Sequence, residues 1–67
     1  MNTNALRGEI KRNGLTVAQT AKNIGISEST MARKLKEGSF CLAEVDALIG
    51  LLGIEHPEII FFDQKTT

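Results

Sequence analysis

TVAQTAKNIGISESTMARKLK, residues 16–36, is the stretch whose pattern decides the fold. Val17, Ala21 and Ile24 make one apolar stripe at spacings of four and three, the period of a helix with a single buried face. Met31 and Leu35 repeat that spacing one turn apart, with polar residues around them. Between the two patterns stand Gly25, Ile26 and Ser27, too few residues for a linker. The spacing predicts helices over 17–24 and from 28 to about 36, meeting steeply across a tight turn. Thr16 and Ser27 are suited to cap them, because each hydroxyl can accept from a free backbone N–H of the first turn. Gly25 is expected at positive φ, where a Cβ would be strained.

Outward from this stretch the chain reads as more short helices. Thr3 or Asn4 opens a helix running to Arg12, with Leu6 and Ile10 as its apolar pair and Asn13-Gly14 as its stop. Leu15 returns to the core before Thr16. After a loop at Glu37-Gly38-Ser39, Phe40 is expected as a core anchor and Cys41 as the N-cap of a fourth helix. That helix, Leu42 to Leu52, places Leu42, Val45, Leu48, Ile49 and Leu52 three and four apart, and Gly53 ends it. His56-Pro57 opens a last helical turn, proline being suited to the first helical position.

Ile59, Ile60, Phe61 and Phe62 form the most apolar run, and it follows a core that is already complete. One helical turn can turn two of the four inward. The other two are then exposed, and the segment 57–62 is expected to associate, most simply as a homodimer. The competing reading is that so small a core uses all four. The expected organisation is one domain over 1–62, with the paired helices at 16–36 and a frayed tail at 63–67.

A chain of 67 residues buries only about 60% of its unfolded surface, so an all-helical core or self-association has to stabilise it. Cys41 is the only cysteine, which rules out an intramolecular disulfide and agrees with a reducing compartment. No apolar run approaches the roughly 20 residues of a membrane span, and MNTNALRGEIKRNG has no signal-peptide segment. The expected location is the cytoplasm. Net charge is zero but unevenly spread. Residues 1–36 carry seven cations against two acids, and residues 37–67 carry one cation against six acids. Such asymmetry points to a nucleic-acid face on the basic side.

Catalysis has no residues to stand on. The chain holds no Gly-rich phosphate loop, paired catalytic carboxylates, Cys/His metal spacing or nucleophile motif. No enzyme activity, cofactor or metal is expected. His56 stands without a second ligand, and Cys41 reads as a half-buried bystander.

Two helices joined steeply by a short Gly-containing turn are the helix-turn-helix unit, which lays its second helix in the DNA major groove. The run LTVAQTAKNIGISESTMARKLKEG resembles that unit in the lambda-repressor-like, or Cro/CI-type (XRE), phage and bacterial regulators. The resemblance rests on Ala21 in mid-helix, the Gly25-Ile26-Ser27 turn and the aliphatic Met31, and it extends through Phe40-Cys41-Leu42 to Ile54. GIS-x-ST-x-x-RKL looks especially like small phage-encoded regulators of the lysis–lysogeny switch. It implies an all-α domain of four to five helices that binds double-stranded operator DNA, usually as a dimer. Two residues depart from the pattern. Val17 stands where the family often has a phosphate-binding Gln, and Glu28 puts an acid at the first position of the reading helix.

With Met31 and Leu35 inward, helical geometry presents Glu28, Ser29, Ala32, Arg33 and Lys36 outward. Glu28, Ser29 and Arg33 are expected to read bases, with Ala32 suited to a thymine methyl. Arg33 is the strongest candidate, by bidentate bonding to guanine O6 and N7, and Glu28 can accept from the cytosine amino group. Phosphate contacts are expected from Arg12, Lys22, Lys34, Lys36 and Thr30, and from the helix start at Thr16 and Val17. For each lysine the plainer alternative is a solvated side chain. A competing function is an antirepressor or modulator that binds a partner repressor protein, favoured by the zero net charge, Glu28 and the acidic, apolar second half.

Overall fold

A computed structural model describes residues 1–62, which form five helices and no strand; the expected tail at 63–67 lies outside the described residues. The helices are α1 Thr3–Arg12, α2 Val17–Ile24, α3 Glu28–Glu37, α4 Leu42–Leu52 and α5 Pro57–Ile60. None is long and apolar enough to cross a membrane.

The boundaries have local causes. The Thr16 hydroxyl accepts from the Gln19 N–H at 3.0 Å, and the Gln19 carboxamide accepts from the Thr16 N–H at 2.9 Å. This reciprocal cap satisfies two of the four donors that a helix start leaves free. Gly25 closes α2 at φ 86°, and the Ile26 N–H then donates to Ala21 O at 3.0 Å. Ser27 caps α3 by accepting from the Thr30 N–H at 3.2 Å. The first helix corrects the expectation: Asn2, not Thr3 or Asn4, is its cap, accepting from the Ala5 N–H at 3.0 Å. The cause is tertiary. The Asn2 N–H donates to Ile60 O at 2.8 Å, which pins the start of the chain to α5.

Leu6, Ile10, Ala21, Met31, Leu35, Leu48, Leu52, Ile54 and Ile60 form one buried cluster. Leu15, Val17, Ile24, Ile26, Phe40 and Phe61 pack on its edge. α2 packs against both α3 and α4, and α1 against α5. The inward face of α2 is centred on Thr20 and Ala21, with Val17 and Ile24 half-buried at its two ends. Burial of Thr20 is tolerated because its hydroxyl donates to Thr16 O at 2.9 Å. Asn13 does more than end α1: its side-chain amide donates to Glu9 O at 2.8 Å and Leu52 O at 3.1 Å, tying α1 to α4.

Leu42 is a second correction. Expected inward, it is 68% exposed. At about 100° per residue it lies roughly 85° around the helix from the centre of Val45, Leu48 and Leu52, the buried line of α4. Of the apolar run near the end, Ile60 is buried and Phe61 half-buried, whereas Ile59 and Phe62 are exposed.

Candidate nucleic-acid interface

Met31 and Leu35 are fully buried, and this fixes which side of α3 faces out. The exposed side carries Glu28, Ser29, Ala32, Arg33, Lys36 and Glu37. The four residues assigned to base reading therefore share one face, which has no core duty. Thr30 is half-buried and already engaged: Ser27 Oγ donates to Thr30 Oγ1 at 2.8 Å. Ser29 Oγ lies 3.3 Å from Ser27 Oγ, so three hydroxyls line the start of α3.

The cations divide into held and available ones. Lys34 Nζ sits 3.0 Å from Glu44 Oε1, with only 19% and 14% of the two side chains exposed. This pair joins α3 to the first turn of α4. Glu44 also accepts from the Cys41 N–H at 3.0 Å. That backbone hydrogen bond, helped by Lys34 and opposed by burial, holds the Glu44 carboxyl below the ordinary carboxylate value. Lys34 is thus a structural cation and a poor candidate for phosphate. Arg12 is held by Glu9, with Nη2 to Oε1 at 2.5 Å. It lines the groove between α1 and α5 with Ile54, Glu55, His56, Ile59 and Ile60. Arg12 therefore belongs with the apolar Ile59 surface. Arg33 pairs with Glu37 at 3.2 Å, but both side chains are half exposed.

Lys22 and Lys36 are exposed and carry no ion pair among the described residues. Nor do Arg7 and Lys11, which line a shallow cleft with Ile10, Leu15, Thr16 and Val17 at the start of α2. The helical pattern of residues 3–12 turns both, with Arg12, towards water or phosphate. Their spacing of four puts them on one flank of α1, about 100° round from Leu6 and Ile10. The Thr16 hydroxyl oxygen accepts from the Gln19 N–H in the cap, so the donors left at this helix start are the Thr16 O–H and the Val17 and Ala18 N–H groups. An apolar side chain at Val17 does not remove them. Two cations beside two outward N–H groups suit an anion such as a backbone phosphate.

The described residues hold no group of three or more His, Cys, Asp or Glu placed to bind a metal. Cys41 is exposed. Comparison with known proteins finds no match: no family model, no curated protein and no solved structure matches the chain.

Proposed function

We propose that this chain is a helix-turn-helix, DNA-binding transcriptional regulator of the lambda-repressor-like kind, comparable to a small phage repressor or Cro-like protein. One observation carries the reading: α3 has an entire exposed face, with two cations and two acids beside Ser29 and Ala32, that does nothing for the core. In this account α3 lies in the major groove, where Arg33 bonds guanine and Glu28, Ser29 and Ala32 contact neighbouring bases. Arg7, Lys11, Lys22, Lys36 and the Val17 and Ala18 N–H groups hold phosphates and fix the register. Lys34 takes little part, since its pair with Glu44 is largely buried, and Arg12 lines the groove between α1 and α5 instead.

One reading helix covers only a few base pairs, so a homodimer on two half-sites about 34 Å apart is the working form. Ile59 and Phe62 supply apolar surface for it, while Ile60 and Phe61 support it from within. The site of action is the cytoplasm, on operator DNA at the nucleoid.

The test is a gel shift on duplexes selected from a randomised pool, at low salt. The native chain should retain a preferred sequence, and Arg33→Ala should lose the preference at one guanine by about 1–3 kcal/mol with the fold intact. No shift by the protein alone at low salt would sink this reading. A second reading, a modulator that binds a partner repressor, is favoured by the neutralisation of Arg33 and Lys34 by acids and by the exposed Ile59 and Phe62. It predicts a shift, or the loss of one, only when that repressor is present.

A further inference from the structure

Among the described residues, Arg33 and Glu37 make the one ion pair on the exposed face of α3. The contact is single: Arg33 Nη1 donates to Glu37 Oε1 at 3.2 Å. Helix stability does not account for it. Glu37 is the last residue of α3, at the carbonyl end, where the helix dipole disfavours an acid. A cation four residues before an acid is also the less favourable order for such a pair. Both side chains are more than half exposed, so the attraction itself is weak.

The geometry instead suits a role in recognition. With Nη1 engaged, the edge of the guanidinium formed by Nε and Nη2 stays free, and two donors are what guanine O6 and N7 accept. We propose that Glu37 is a positioning residue: it tethers Arg33 through Nη1 and presents the other edge of the fork to guanine. This rests on the DNA-reading role of α3. The tether lowers the ordering cost that a long, freely rotating side chain bears on binding. The same carboxylate repels phosphates, so Glu37 improves discrimination while weakening overall attachment.

The two effects have opposite signs, and this makes the test sharp. The full chain and its variants would be bound to randomised DNA duplexes at one salt concentration, and the bound fraction sequenced. The native chain should enrich one guanine that Arg33→Ala does not. Glu37→Ala should lower that preference about twofold while total affinity for the pool rises. Glu37→Gln, which keeps an acceptor oxygen without the charge, should gain affinity and keep the preference. Thermal melts of the same samples confirm that each variant is folded. The inference is overturned if Glu37→Ala keeps the native preference, or if it loses preference and affinity together. If the native chain itself enriches no guanine that depends on Arg33, the DNA-reading role falls, and the inference with it.

Discussion

Glu44→Ala should be among the most damaging changes of a charged residue in this chain, and the size of the effect can be worked from its surroundings. The carboxylate accepts from the Cys41 N–H at 3.0 Å and pairs with Lys34 Nζ at 3.0 Å. Exposed ion pairs contribute about 0–1 kcal/mol, whereas removing one partner of a buried pair costs about 3–5 kcal/mol. With 19% of the Lys34 and 14% of the Glu44 side chain exposed, this pair stands between the two limits. About 2 kcal/mol is expected. A domain of this length has only about 3–10 kcal/mol in total, so the melting temperature should fall by about 8–16 °C. A double-mutant cycle with Lys34→Met isolates the pair from the cap. The pH dependence follows from the depressed carboxyl. Its contribution is fully present above the unfolded value, about 4.3, and is lost as pH falls through the lower folded value. Native stability should therefore decline in that acidic window, and Glu44→Ala should flatten the decline. A fall in melting temperature below about 2 °C, with Lys34 and Glu44 additive within about 0.5 kcal/mol, would refute the assignment.

Three further outcomes are expected. Salt titrations of DNA binding should separate held from available cations: Lys11→Ala or Lys36→Ala should each lower the salt slope by about 0.9, and Lys34→Met should leave it unchanged. Gly25→Ala meets no atom within 4 Å, yet its φ of +86° strains any Cβ, so chemical denaturation should show a loss of about 1–2 kcal/mol. Ile59→Asp with Phe62→Ser should leave α3 folded but lower the apparent mass in sedimentation from dimer towards monomer.

The parts of the fold written in local pattern were legible in the sequence. The stripes Leu6/Ile10 and Met31/Leu35 predicted the buried faces of α1 and α3, and Thr16, Ser27, Gly25 and Gly53 marked helix ends because caps and left-handed glycines act over a few residues. What stayed hidden was set by partners distant in sequence. The cap at Asn2 depends on Ile60 O, the amide of Asn13 reaches Leu52 O, and Lys34 meets Glu44 only once α3 and α4 pack. Thr20 reads as polar because a sequence does not show that its hydroxyl is spent on Thr16 O. Leu42 reads as core because periodicity alone does not show how much of its arc a neighbour covers. For the candidate site, the exposed face of α3 was legible, and the division of its cations into held and available was not.

That division changes what the charge asymmetry means. Counted by sequence, the first half of the chain carries a surplus of five positive charges. In the fold, Arg33 and Lys34 are met by Glu37 and Glu44, both from the acidic half, and Arg12 is met by Glu9. The cations left for phosphate are Arg7 and Lys11 beside the start of α2, with Lys22 and Lys36 on α2 and α3. Four phosphates per chain give a salt slope of only about −3.6, and two chains about −7. On the proposed DNA-binding reading, a single copy would be a weak electrostatic binder, whereas two copies joined through Ile59 and Phe62 would reach the range of a specific regulator. On this reading, loss of the α5 surface and loss of Arg33 should both weaken operator binding. The first should halve the salt slope, and the second should leave it close to its native value.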